Sequence, residues 1–413
     1  MSTPVLSPTS DGFDDARPEP TGRRVLALIV GTRPEAIKVA PVALAAASSR
    51  LRPVIIATGQ HDTAAHDALA EFDLRPDIEL QLDRGPADLQ ADLFAALLPR
   101  LQGALAHIGA AATLVQGDTA SALAGALAGV WQRSPVVHLE AGLRSFDRAN
   151  PYPEETYRCA IGALADLHLA PTLAAQGHLI GEGVGPDRIL CIGNTIVDAG
   201  LHAAGHLGPP VRGARRRVVV TVHRRENWGE PLDDVLAAIH RIVEAVPDVE
   251  VVIPVHPNPA VGRVVRASLE GTERVVVLDP LGHRAFLELL ASATLVLTDS
   301  GGVQEEAPTF GVPALVLRRT TERPEAVEAG AAELVGTGVD AVAGRAIALL
   351  ADEAARLQMA ATESPFGDGA SARRAVEAVE WILGLGPRPR AWVPPVPTGR
   401  AGTGATIALA SSA

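Results

Sequence analysis

The chain has 413 residues, 47% of them hydrophobic and 20% charged, with a formal net charge of −12. That length exceeds a single typical core and implies two domains, the composition is that of a folded globular protein, and the acidity argues against a nucleic-acid-binding surface. Two cysteines, Cys159 and Cys191, form no disulfide framework and fit a reducing cytoplasm; with aromatic residues at 3%, the core has to be built from Ala, Val and Leu.

In chain order, residues 1–22 are rich in Ser, Thr, Pro and Asp without an apolar run, which reads as a disordered leader rather than a signal peptide. The first strand is expected over 24–30 (RVLALIV), running into the turn and helix of GTRPEAIK. Further strands are expected at 52–58, 113–115, 136–139, 167–170 and 189–192, with helical stretches at about 88–107 and 120–130. The Ala- and Leu-rich segment 104–131 is broken by His107, Gln116, Gly117 and Asp118, so it offers no membrane span of ~20 residues. From about Gly200 to Gly213 the pattern lapses into Gly, Pro, Ala and His, and a linker is expected. A second cycle of strands follows at 217–222, 250–255, 275–278, 295–298 and 314–317. A late helix over 370–383 is long enough to lie back across the first half, and from about Gly386 to 413 the composition points to a disordered tail. This rhythm predicts an α/β fold with one domain over 23–203 and another over 214–385, each a doubly wound parallel sheet.

Polar residues gather where the strands end: Arg33, Gln60, Asp118, Glu140, His223, His256 and Ser300. In an open parallel sheet that is the ligand-binding edge. Two such edges facing each other make one cleft. Each residue alone has a bland explanation: Arg33 and Lys38 as helix caps, Asp118 as an N-cap, Glu140 as a partner of Arg144, Glu154 and Glu155 as helix-start acids, His223 as a core histidine. Their shared position along one edge favours a site. The stretch Thr294–Gly311 carries the most, because a buried strand stops at Asp299-Ser300-Gly301-Gly302 and a helix with Glu305 and Glu306 follows. Glycines and free helix-start amides suit a diphosphate, which points to Ser300, Gly301 and Gly302 as its cradle. A carboxylate about one turn further on, Glu306, suits ribose hydroxyls.

The blocks GTRPEAIK (31–38), GQH (59–61), GDT (117–119), HLEAGLRS (138–145), PYPEE (151–155), GNT (193–195), VHRREN (222–227), PVHPNP (254–259), TDSGGVQEEAP (298–308), TTERPEA (320–326) and PFGDG (365–369) occur in order over about residues 24–385. In this ordered set the chain resembles the non-hydrolysing UDP-N-acetylglucosamine 2-epimerases. The resemblance implies two Rossmann-like domains facing a central cleft, an architecture of glycosyltransferase-B type. It also implies a cytoplasmic homodimer that interconverts UDP-GlcNAc and UDP-ManNAc, with no cofactor, no metal, and neither nucleic acid nor membrane as a partner.

The hydrogen on the second sugar carbon has no neighbouring carbonyl, so its direct removal is prohibitively slow. The implied route eliminates UDP to leave a bound glycal and adds it back with a proton on the opposite face. That needs acid–base groups around the ring and cations or N–H groups at the leaving diphosphate. Carried over by position, Asp118, Glu140 and Glu154 are the carboxylates around the sugar and His223 stands by the leaving diphosphate. Arg33, Lys38 and Arg158 contact phosphate or sugar, Ser300, Gly301 and Gly302 the diphosphate, and Glu306 the ribose. A second, activating UDP-GlcNAc site is implied at Gln60, Arg84, Arg224 and His256.

Two departures from the family pattern bear on function. Tyr157 stands where members commonly carry Asn, which opens a different sugar specificity. Asp83-Arg84 is followed by Gly85-Pro86 where many members carry Gln-Thr; an amide ligand is then missing, and a hyperbolic response to UDP-GlcNAc is expected. The same fold would serve a hydrolysing epimerase releasing ManNAc and UDP, an epimerase of a modified UDP-N-acetyl sugar, or a glycosyltransferase. A non-catalytic UDP-sugar sensor is the reading from another class, and retention of the three carboxylates and His223 argues against it.

Overall fold

The computed structural model describes residues 22–60, 63–82, 89–149, 151–206, 213–255 and 258–394. Uninterrupted runs of Val, Ile and Leu make strands that are buried on both faces, as parallel sheets covered by helices require. β1 (Arg24–Val30), β2 (Leu51–Ala57), β3 (Ile78–Glu79), β4 (Ala112–Gln116), β5 (Val136–Leu139), β6 (Leu167–Ala170) and β7 (Ile189–Cys191) form one parallel sheet in the order β3-β2-β1-β4-β5-β6-β7. β8 (Arg216–Thr221), β9 (Val249–Pro254), β10 (Val275–Leu278), β11 (Leu295–Thr298), β12 (Ala314–Val316) and β13 (Ala332–Leu334) form the other, in the order β10-β9-β8-β11-β12-β13. Each sheet reverses its winding once, between β1 and β4 and between β8 and β11. At that point the flanking helices leave toward opposite faces and open a crevice at the carboxyl ends of the strands. The architecture is two Rossmann-like units, of glycosyltransferase-B type.

The units share apolar interior. One cluster joins Leu26 and Leu28 of β1 to Val219 of β8 through Val197, Val303, Phe366 and Val376. The helix Thr195–His206 runs past Ala203 into the stretch expected as linker, because Ala199 and Ala203 pack on that shared cluster. The helix Ser371–Ile382 packs on the helices Arg33–Ala47 and Thr195–His206. Its first turn is capped by Asp198, whose carboxylate accepts from the backbone N–H groups of Ser371 at 3.3 Å and Ala372 at 2.8 Å. Order also continues beyond Gly386, where a tail was expected. β7 is an edge strand, and Trp392 is buried against it with its backbone N–H on the Cys191 carbonyl at 2.8 Å. Arg388 lies 5.1 Å from the Trp381 ring centroid and donates to the Ile189 carbonyl at 2.8 Å. Among the described residues no helix is long and apolar enough to cross a membrane.

Candidate active site

At the first switch point the chain turns from β1 through Gly31 and Thr32 into the helix Arg33–Ala47. Gly31 has no room for a side chain: a Cβ there would lie 2.0 Å from Ser121 Oγ, in the first turn of the helix Ala120–Trp131 that follows β4. Glu35 ties these two turns together. Its buried carboxyl accepts from the Gly31 N–H at 3.0 Å and from the Thr119 hydroxyl at 2.6 Å. Burial pushes the Glu35 pKa up to about 7, against the pull of the Thr119 hydrogen bond.

Thr119, not Asp118, caps the helix Ala120–Trp131, its hydroxyl accepting from the Ala122 N–H at 3.0 Å. Asp118 is thereby left to pair with Arg158 of the helix Glu154–Leu164. Burial raises the Asp118 pKa above the usual carboxylate range; the Arg158 guanidinium opposes this and the Glu140 charge adds to it.

Glu140, just past β5, has φ 62°, a left-handed backbone that strains a residue with a side chain. Its buried carboxylate accepts from Lys38 Nζ at 2.5 Å, from Asn194 Nδ2 at 3.1 Å and from Gln116 Nε2. Burial alone would raise its pKa, but the charges of Lys38 and Arg323 together with the Lys38 and Asn194 hydrogen bonds outweigh it and hold it low. Arg144, the partner expected from sequence proximity, is instead gripped by Glu182 at 2.6 and 2.7 Å. Lys38 also lies 3.7 Å from Glu305 of the second unit, and Glu305 in turn receives Arg323 Nε at 2.8 Å. A chain of buried charge therefore crosses between the units.

Glu154 opens its helix, half-buried, while Glu155 is buried and accepts from the backbone N–H groups of Ser145 and Phe146, both at 3.1 Å. The bland reading holds for Glu155, which fixes the turn after β5. Tyr157 is directed toward the helix Gln90–Ile108, its hydroxyl 3.3 Å from Gln90 Oε1 and its ring edge-on to Phe94.

At the second switch point the hydroxyls of Thr221 and Thr298 meet at 2.6 Å across β8 and β11. Asp299, fully buried, accepts from the backbone N–H groups of His223 and Arg224 and from Asn227 Nδ2, all at 2.9 Å, with His223 Nδ1 at 3.1 Å. Burial would raise the Asp299 pKa, but the His223 side chain and these N–H groups hold it below the usual range. The carboxylate at Nδ1 fixes the face that the imidazole presents. Gly301 makes room for Arg323, whose guanidinium would lie 2.8 Å from a Cβ at that position. The nearest neighbour of a Cβ at Gly302 would be Ser300 Oγ at 3.9 Å, so the opening lies at Ser300 and Gly302. Glu306 is buried with Oε1 2.8 Å from His283 Nε2. A cleft of about 200 Å³ is lined by Arg33 from the first unit and by Thr221, His223, Leu281, Phe286 and Ser300 from the second. Arg33 reaches across it to within 3.4 Å of the Leu281 carbonyl.

Of the residues implied for a second nucleotide-sugar site, Gln60 accepts from the Ser121 N–H at 3.0 Å and hydroxyl at 2.6 Å, and Arg224 pairs with Glu322 at 3.0 Å. Arg84 and His256, like Gly85 and Pro86, lie outside the described residues. Sequence reasoning passed over Glu35, Gln116, Asn194, Asp299 and Arg323. All but Gln116 sit inside the ordered blocks, and each is a polar residue at a strand end, in the turn beyond one or at the start of the helix that follows, which is the signal that would have found them. Among the described residues no group of three or more His, Cys, Asp or Glu could hold a metal ion.

These features define a double-Rossmann α/β protein with a cleft lined by Arg33 from one unit and by a histidine and a serine–glycine turn from the other, and with buried carboxylates at the strand ends of the first unit. Residues 43–380 match the family model described as UDP-N-acetylglucosamine 2-epimerase. The UDP-N-acetylglucosamine 2-epimerase of Bacillus subtilis is 40% identical over 362 residues, covering 86% of this chain and 95% of that protein. A crystal structure from Listeria monocytogenes is 38% identical with a TM-score of 0.83, covering 90% of this chain and all of that one. The UDP-GlcNAc 2-epimerase of Neisseria meningitidis, solved bound to UDP-GlcNAc, is 33% identical with a TM-score of 0.80, covering 86% of this chain and 99% of that one. The chain belongs to the UDP-N-acetylglucosamine 2-epimerase family.

Proposed function

We propose that this protein interconverts UDP-GlcNAc and UDP-ManNAc without hydrolysis, by eliminating UDP to a glycal held in the cleft and adding it back. The observation that carries the reading is a pair of carboxylates whose surroundings pull their pKa values apart, Asp118 up and Glu140 down. A reaction that takes a proton from one face of a carbon and returns one to the other needs such a pair. The Neisseria relative binds UDP-GlcNAc, which supports the substrate class.

In the forward direction Glu140, kept ionised by Lys38, takes the proton from the second sugar carbon. The electrons of that bond form the ring double bond as the bond from the first carbon to the phosphate oxygen breaks, and UDP leaves with the bonding pair. His223, oriented by Asp299, and the Ser300–Gly302 turn receive the diphosphate's charge, with Arg33 reaching in from the other wall and Glu306 taking the ribose. Asp118, which holds its proton more readily, delivers one to the opposite face as UDP re-adds. Arg158 positions Asp118, and the Glu154 charge helps keep the Asp118 pKa raised. The reading extends to a cytoplasmic homodimer. Incubation with UDP-GlcNAc in deuterated water, followed by NMR, tests it. UDP-ManNAc carrying deuterium at the second carbon is expected, with no free sugar. Free ManNAc and UDP would identify a hydrolysing epimerase, and untouched substrate a sensor.

A further inference from the structure

A second set of charges joins the units, and of it the reaction above uses only Glu306. Glu71, just past the helix Ala64–Ala70 of the first unit, sets both carboxylate oxygens against the start of the helix His283–Ala291 of the second. Oε1 accepts from the His283 N–H at 3.0 Å and Oε2 from the Arg284 N–H at 2.9 Å. The His283 ring stands between two acids, with Nδ1 3.7 Å from Glu71 Oε2 and Nε2 2.8 Å from Glu306 Oε1. It is buried, and it lines both the main cleft and a smaller one of about 100 Å³.

We propose that Glu71, His283 and Glu306 form a latch between the units, in which His283 is a positioning residue that aims the Glu306 carboxylate at the nucleotide's ribose while Glu71 holds it from the other side. The proposal rests on the reading of Glu306 as the ribose contact. Through the latch, closure of the cleft and grip on the nucleotide are coupled. Burial works against a charge on the ring, but the Glu306 hydrogen bond and the nearby Glu71 carboxylate outweigh it and lift the His283 pKa to about 9. The ring is therefore an imidazolium at neutral pH, and the latch weakens as pH rises through about 9. The charges and titratable groups facing it are Glu71 and Glu306, Arg33 acting on Glu71, Arg284 in the next position, and Asp73, His202 and His206 around the smaller cleft.

The test measures UDP affinity by calorimetry and particle size by X-ray scattering for the wild type, Glu71→Gln, His283→Gln, the double variant and Glu306→Gln. Glu71→Gln is expected to weaken UDP binding roughly five-fold and to expand the particle. In the His283→Gln background the same change is expected to do little more. The affinity gap between wild type and His283→Gln closes as the pH passes about 9, a comparison in which ionisation of the uracil cancels. Wild-type affinity and size in Glu71→Gln, or additive losses in the double variant, overturn the latch. A loss in Glu306→Gln with none in Glu71→Gln leaves the ribose contact standing and removes the latch. Normal UDP binding by Glu306→Gln removes the ribose contact, and the positioning role with it.

Discussion

The two walls of the cleft are built from the same element, the corner of a Rossmann-like sheet, but they spend their polar groups differently. On the first wall Glu35 and Glu140 are buried and bound by donors, with burial at Glu140 offset by Lys38 together with Arg323 and Asn194, while Asp118, its side chain 28% exposed, pairs with Arg158. On the second, the buried acid Asp299 is used to fix backbone and His223, while His223 stays a third exposed (32%) beside the open Gly302 and the apolar Leu281 and Phe286. Proton transfer needs carboxylates removed from water, whereas holding a leaving anion needs donors that remain reachable. One fold element supplies either, according to which side chains sit at its corner.

The largest expected effect tests that division directly. Glu140→Gln keeps the shape and removes the proposed base, so kcat is expected to fall ~10³-fold with UDP affinity unchanged, while His223→Ala is expected to cost turnover ~10²-fold, more than it costs binding. If Glu140→Gln weakened UDP and spared turnover, the roles of the walls would be reversed. A smaller effect sharpens the picture of the first wall. Arg158 opposes the upward shift of Asp118, so Arg158→Gln is expected to move the pH–rate limb that Asp118 governs to still higher pH. A limb that stays put would separate Asp118 from the rate. The smallest effect is on stability. Because the Glu35 pKa is raised in the folded state, the bound proton stabilises the fold fully below the ordinary value of 4.5, and this contribution is lost as pH rises through about 7. Glu35→Gln is expected to flatten the decline of Tm over that window relative to wild type, by on the order of 2–3 kcal/mol. Parallel melting curves for the two proteins would show that Glu35 carries no such burden.

Much of this was legible in the chain. Long apolar runs gave the inner strands, and among the described residues Arg33, Asp118, His223 and Ser300 follow the strands that flank the two switch points. Ile78–Glu79 and Ala332–Leu334 were too short to stand out as runs. Pairing was the harder matter, because neighbours in sequence compete with partners that only the fold brings near. Glu140 has Arg144 four positions away, yet binds Lys38 from the first helix. In Gly117-Asp118-Thr119 both polar residues are good caps; Thr119 makes the cap, while Asp118 pairs with Arg158. His283 belongs to none of the ordered blocks, and its importance rests on Glu71, more than two hundred positions earlier in the chain.

The chain passes between the two units twice, once after His206 and once on the way into the helix that starts at Ser371. A pair of crossings works as a door hinge does, setting an axis where a single tether would leave the halves free to twist. The second crossing is bolted at Asn194, whose backbone N–H holds the Phe366 carbonyl at 2.6 Å while its side chain donates to Glu140. The residue that pins the second crossing to the first unit thus also holds the Glu140 carboxylate, so that any shift of this crossing would be felt there.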